Sequence, residues 1–390
     1  MNRILRNRNF QIVSATSLLI MMMVAAIVPA FPVIMQKFNV DEAAVGLLIT
    51  AFSLPTFIFG PLGGIVADRL GRKKVLVTSL LLFGIFGGAC AFATSFPALL
   101  VLRTIHGIGS APLASIGVTV ISDIFSGNDR AAALGFNNTV MYVGYIIYPP
   151  LGGALAGLAW NYGFLLFTLA LPLGLIALVY LRIQEPAATQ SLSAYLGSGL
   201  KYIRGWKVVW LFAASIITYI LLYGAFLVYF IILLSVKFEA DPFLTGIFVS
   251  MIGWFTAAAS TQVGRLSARI SSHLIVTIAF ILYAISVALV PIMPNLWLCL
   301  IPPVIFGIGH GLNLPSLTVI ASRVAPLENR AGFMAIQTTM IPLGMTLAAP
   351  IMGLFTGITN INSAFYIAGG LAILVPLAAT MMLKKTESQP

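Results

Sequence analysis

The residues Gly60-Pro-Leu-Gly-Gly-Ile-Val-Ala-Asp68-Arg69-Leu-Gly71-Arg72-Lys73-Lys74-Val75 lie between two long apolar runs, and a worn copy, Gly264-Arg-Leu-Ser-Ala-Arg269-Ile-Ser-Ser-His273, follows two hundred positions later. Gly64 matches Gly264 and Arg69 matches Arg269. The pattern predicts a short polar loop joining two membrane helices at the same place in each half of a duplicated chain.

The same offset of 200 registers much more of the chain: Lys37-Phe38 on Lys237-Phe238, Asp41 on Asp241, Gly107-Ile108-Gly109 on Gly307-Ile308-Gly309, Arg130-Ala131 on Arg330-Ala331, and Gly144, Pro150 and Gly153 on Gly344, Pro350 and Gly353. The apolar content of 60%, the 8% of charged residues and a mean hydropathy of +1.04 exclude a water-soluble globule. A spanning helix needs about 20 apolar residues. Twelve runs qualify, near 10–35, 44–67, 75–94, 97–122, 131–157, 162–182, 208–234, 243–266, 274–293, 296–322, 332–356 and 362–382. The expected fold class is therefore an all-α polytopic membrane protein of two six-helix bundles, 1–184 and 208–390. Six helices per repeat is an even number, so both bundles enter the membrane from one side, related by an axis along its normal. The stretch 185–207, with Leu192, Leu196 and Leu200 four apart, reads as a cytoplasmic linker carrying a short amphipathic helix.

The net charge of +11 does not gather on a soluble face as nucleic-acid binding requires. With both termini in the cytoplasm of a cell that carries the chain in its plasma (inner) membrane, 18 of the 21 Lys and Arg fall on the cytoplasmic side. Lys37 and Lys237 fall outside, and Arg103 falls within a span. The basic start Arg3, Arg6, Arg8 has the look of a secretory leader, but the first helix has a counterpart in the repeat, so cleavage is not expected. Cys90 and Cys299 read as small apolar fillers, and neither they nor any other residues suggest a metal site or a cofactor. An intramembrane enzyme is disfavoured, since there is no HExxH run, no intramembrane Asp pair and no Gly-x-Ser-Gly setting, and an ATP-driven pump likewise, since there is no GxxxxGK[ST] phosphate loop.

Along its whole length the chain resembles the major facilitator superfamily, in particular its 12-helix drug and proton antiporter branch. The Gly60–Lys74 stretch is similar to the signature between that family's second and third helices. Leu102-Arg103-Thr-Ile-His106-Gly107-Ile-Gly109 is similar to its fourth-helix motif, with His106 where Gln is usual. Gly144-Tyr-Ile-Ile-Tyr-Pro149-Pro150-Leu-Gly152-Gly153 is similar to the exporter motif of the fifth helix, with Tyr148-Pro149-Pro150 in place of the expected Gly-Pro step. The resemblance implies alternating access, a small-molecule substrate, protons as coupling ion, and a cluster of Asp68, Arg69, Arg72 and Asp123 that latches the cytoplasmic side. It also implies work as a monomer among membrane lipids. Alternatives to proton-coupled efflux of hydrophobic or amphiphilic compounds are lipid or glycolipid translocation, solute uptake, and a non-transporting sensor or scaffold.

All ten Asp and Glu lie outside the apolar cores, so no intramembrane carboxylate stands ready to carry a proton. Histidine is the substitute, with an unperturbed pKa of about 6.5. His106 lies three residues after Arg103 and so on the same helical face. Arg103, about 9 Å along its helix from Pro97 at about 1.5 Å per residue, either snorkels outward or serves coupling and substrate binding. His310 lies about 22 Å from Asn295 by the same rise, near mid-membrane. Asn313 one turn on and Gln337 in the eleventh helix are further cavity candidates. Tyr142, Tyr145, Tyr219, Tyr223, Trp254 and Met21–Met23 are others, each equally suited to packing.

Overall fold

The computed structural model describes residues 2–183, 205–325 and 330–387, and all regular structure among them is helical. The expected linker helix lies outside the described residues. Among the described residues, twelve helices are long and apolar enough to cross a membrane. They are α1 (Arg8–Phe38), α2 (Glu42–Leu70), α3 (Arg72–Phe92), α4 (Phe96–Ile124), α5 (Gly127–Leu158), α6 (Tyr162–Tyr180), α7 (Trp206–Phe238), α8 (Pro242–Ser260), α9 (Ser272–Ile292), α10 (Trp297–Val324), α11 (Phe333–Ile358) and α12 (Ile361–Thr380). Contacts divide the chain into two compact units, Met1–Leu192 with Asp241–Gly246, and Ser193–Ala240 with Ile247–Pro390.

The duplication is legible inside each unit, bond by bond. Thr56 Oγ1 donates to the Gly107 carbonyl at 3.2 Å in the first, and Thr256 Oγ1 to the Gly307 carbonyl at 3.2 Å in the second. Gly107 lies against the Phe52 carbonyl and Gly307 against that of Ile252, where a methyl group would collide with backbone. Gly109 rests on Leu82 and Phe83, as Gly309 rests on Leu282 and Tyr283. These helices touch backbone to backbone because lipid gives no hydrophobic drive for association, so close van der Waals contact must supply it.

The outer turns repeat too. α1 ends in left-handed Asn39 (φ 51) and α7 in left-handed Glu239 (φ 52). Asp41 then caps the next helix by accepting from Ala44 N at 2.7 Å, and Asp241 by accepting from Leu244 N at 2.9 Å. Asn adopts this conformation at less cost than Glu, so Glu239→Asn is expected to stabilise the protein by about 1 kcal/mol. A rise in the thermal midpoint of the detergent-solubilised protein checks it.

The opening stretch departs from expectation. It is not a loop: α2 continues unbroken to Leu70, Gly71 alone (φ 95) turns the chain, and α3 begins at Arg72. A helix satisfies its own backbone polar groups, so it persists past the expected end at 67 and the expected loop shrinks to Gly71. The worn copy does break, since α8 ends at Ser260, a short helix covers Val263–Ser267, and Ser271 caps α9 by accepting from Leu274 N. Two further irregularities interrupt the spans, the first marked in the sequence by Pro112, which lacks the backbone N–H, and the second by no residue type. α4 is interrupted at Ala111-Pro112, and Leu221–Phe230 of α7 is a π-helix with all ten residues buried.

Candidate functional site

Each unit buries a histidine cluster. In the first, Ser95 caps α4 by accepting from Ala98 N, and two turns later Arg103 is fully buried. It does not snorkel. Its Nε donates to the Leu48 carbonyl at 3.3 Å, its Nη2 to the Met23 carbonyl at 2.9 Å, and its Nη1 lies 3.0 Å from His106 Nδ1. The Met23 carbonyl is available because α1 tightens ahead of Pro29: Ile27 N turns back to Val24. The guanidinium also lies 4.6 Å from the Phe52 ring centre and 6.0 Å from that of Phe167. Backbone dipoles and aromatic faces thus hold a buried cation with no carboxylate among its recorded partners.

Arg has only donors, so His106 Nδ1 must accept and the ring proton sits on Nε2. That atom is buried without a partner, facing Gly87, where a methyl group would come within 3.0 Å of it. Phe83, Phe167 and Phe52 enclose the ring at 4.3, 4.6 and 5.0 Å. This geometry fits the neutral imidazole alone, because a proton on Nδ1 would point at a donor.

The second unit has the same aromatic pair at the same repeat positions, Tyr283 against Phe306 at 4.4 Å where the first has Phe83 against His106 at 4.3 Å. The imidazole has moved one turn along, to His310, opposite Ser110 in the repeat. Its ring partner has gained the hydroxyl it needs, and Tyr283 OH lies 2.9 Å from His310 Nδ1. Asn313 Nδ2 donates to Thr218 Oγ1 at 2.8 Å and to Tyr283 OH at 3.3 Å. One turn back on α7, Ser215 Oγ accepts from Gln337 Nε2 at 2.7 Å. Asn313 and Gln337, on two helices, are thereby drawn to one face of α7, and His310 joins Asn313 through the Tyr283 hydroxyl.

The latch residues come together only in part. Arg72 reaches Asp68 at 3.1 Å and also pairs with Asp123, while Arg69 is exposed at the end of α2. Asp123 sits in the last turn of α4, where the helix dipole disfavours a carboxylate, and the Arg72 contact offsets this. In the worn copy Ala268 and Ser272 occupy the positions of Asp68 and Arg72, so this pair is not duplicated. In α5, Gly144 lies against the Met21 side chain and Gly152 against the Ala26 carbonyl, which brings α5 onto α1. Gly153 faces the backbone of Pro242, in the same compact unit; Pro149 is buried and Pro150 half-buried beside it.

The family description of the Major Facilitator Superfamily matches residues 13–235 and 211–390. The chain belongs to the major facilitator superfamily. It is a multi-pass membrane transporter, not an enzyme. It is 26% identical to the bacillibactin exporter of Bacillus subtilis (strain 168), over 98% of each chain, and 26% identical to the quinolone resistance protein NorA of Staphylococcus aureus (strain MRSA252), over 91% of each. Among solved structures it superposes on a POT family transporter in complex with 5-aminolevulinic acid with a TM-score of 0.82 at 14% identity, covering 97% of this chain and 96% of that one. It superposes on the D-xylose–proton symporter with a TM-score of 0.76 at 17% identity, covering 95% and 96%.

Sequence reading of this superfamily member missed several groups at both clusters. Phe52, Phe83 and Phe167 look like any buried Phe, and a Met23 carbonyl freed by a local kink leaves no mark on residue type. Tyr283 did leave a signal: it is the one-hydroxyl difference from Phe83 at the repeat position. Thr218 and Ser215 left none.

Proposed function

We propose that this chain is a proton-coupled exporter of small hydrophobic or amphiphilic compounds, working as a monomer by alternating access of two six-helix bundles. The observation that carries the coupling is the His310–Tyr283 contact. A tyrosine hydroxyl donates to a neutral imidazole and accepts from a charged one, so the pair accommodates gain and loss of a proton when that hydroxyl turns about its C–O bond. The recorded names of two relatives, an exporter and a resistance protein, support the outward direction. The buried Arg103 and the absence of a carboxylate from the apolar cores favour neutral, zwitterionic or anionic amphiphiles over permanent cations.

Arg72 with Asp68 and Asp123 serves as the cytoplasmic latch in this reading. Both carboxylates are largely exposed, so each pair contributes at most about 1 kcal/mol. Asp123→Asn is then expected to shift the balance of inward- and outward-facing states about fivefold, no more. Cysteine-accessibility labelling at the two membrane faces reads that shift, and an unchanged pattern removes Asp123 from the latch.

The test of the whole reading is purified protein in liposomes loaded with a pH-sensitive dye, challenged with hydrophobic compounds. The wild type should move protons on substrate addition, Asp68→Asn should slow the movement, and His310→Ala should abolish it. Substrate flux with no proton movement in the wild type would overturn the coupling.

A further inference from the structure

Two amide carbonyls in the second unit, Asn313 Oδ1 and Gln337 Oε1, are buried with no hydrogen-bond partner. Their orientation is dictated by the hydroxyls beside them. Thr218 Oγ1 spends its proton on the Ala214 carbonyl at 2.8 Å, and Ser215 Oγ on the Leu211 carbonyl at 2.9 Å. Each hydroxyl can then only accept, so each amide must turn its nitrogen toward α7 and its oxygen away. A half-turn of either amide would set two acceptors against each other. The Asn313 side chain is fully buried and both its N–H groups are used, on Thr218 and Tyr283.

We infer that these two carbonyl oxygens form the polar subsite of the transporter, and that it takes neutral hydrogen-bond donors, the hydroxyl or amide N–H groups of an otherwise apolar compound. Ser215 and Thr218 are three residues apart on α7, so their amide partners approach one face of that helix about one turn apart. Two acceptors on amides held that close, with no carboxylate among their recorded partners, suit a ligand carrying two uncharged donors better than a cation, which would call for a counter-charge. An orphaned buried acceptor is costly until something donates to it, and a ligand that does so gains what the empty state lacks. Gln337 is only half-buried, so a modest swing of its side chain uncovers Oε1. Tyr219 and Tyr223, stacked at 6.2 Å on α7, extend the same neighbourhood with aromatic surface; the Tyr219 ring also lies 6.2 Å from that of His310.

The inference rests on the exporter reading, and the test separates the two. Binding of 4-hexylresorcinol, whose hydroxyls are about one helical turn apart, is compared by calorimetry with binding of its dimethyl ether, using the full-length protein in detergent. The wild type should prefer the resorcinol at least about tenfold, since a site built to accept a hydrogen bond rejects the analogue that lacks the donor. Asn313→Leu with Gln337→Leu should bind both compounds at the ether's affinity, and Gln337→Leu alone, at the half-buried position, should lose part of the preference. Retained ether binding reports that the variants are folded. Equal binding of the two compounds by the wild type, or a preference surviving in both variants, overturns the inference alone. Binding of neither compound by the wild type overturns the hydrophobic-substrate reading and the inference with it.

Discussion

Arg103→Met is expected to abolish transport while leaving a protein about as stable as the wild type, and Arg103→Lys to reduce transport tenfold or more although it keeps the charge. The side chain spans three acceptors on three helices: Met23 of α1, Leu48 of α2 and His106 of α4 itself. A lysine ammonium on its single stem cannot meet acceptors placed for the planar fork, so the charge survives and its position does not. Methionine removes the charge altogether. It forfeits hydrogen bonds worth about 1.5–3 kcal/mol each to a charged group, but it also removes the desolvation penalty of a buried ion, which is of several kcal/mol. The two changes roughly cancel, and a flexible thioether fills the space between Phe52 and Phe167. If Arg103 were only a staple between helices, the Met variant would unfold early and its remaining activity would follow the folded fraction. Thermal midpoint and initial transport rate, measured on the same reconstituted sample, separate the two roles.

The architecture was legible because its main constraint acts on residue identity. Where two helices meet backbone to backbone only glycine fits, so Gly107 and Gly307, or Gly109 and Gly309, recur at one offset and carry the duplication with them. The junction at Gly71 was read as a longer loop because the residues after 67 are polar. A helix satisfies its own backbone whatever its side chains, so α2 continues through Asp68 and Arg69 to Leu70 and α3 already begins at Arg72. At the sites, the titratable groups were found from scarcity alone, since any His or Arg in a chain so poor in charge stands out. Apart from Arg103 and His106, placed on one helical face by their spacing, their partners were not found. The Met23 carbonyl is exposed by a kink, and the acceptor faces of Asn313 and Gln337 follow from where the protons of Thr218 and Ser215 go, which only the coordinates reveal.

The two membrane-buried histidines are expected to behave oppositely under substitution, and that contrast is the sharpest consequence of the coupling proposal. His106 Nδ1 faces a group that can only donate, so the ring is confined to one protonation state for as long as Arg103 stays in place. A glutamine there offers an acceptor oxygen at similar reach, so His106→Gln should retain substrate-driven proton movement within about threefold of the wild type. His310 Nδ1 faces a hydroxyl that can reverse its role, and the ring is 5% exposed where His106 is wholly enclosed. His310→Phe keeps the aromatic packing against Phe306 but deletes the exchangeable site, and should lower proton movement at least tenfold while downhill movement of substrate continues. The dye in the liposomes reads the protons, and substrate assayed directly in the same vesicles reads the downhill movement. Proton movement that survives His310→Phe and disappears with His106→Gln would place the exchange at the first cluster, and Arg103 would then have to leave His106 during the cycle. Its hold on the Met23 and Leu48 carbonyls argues against that departure, which is why the coupling is assigned to the cluster where a hydroxyl, rather than a guanidinium, faces the imidazole.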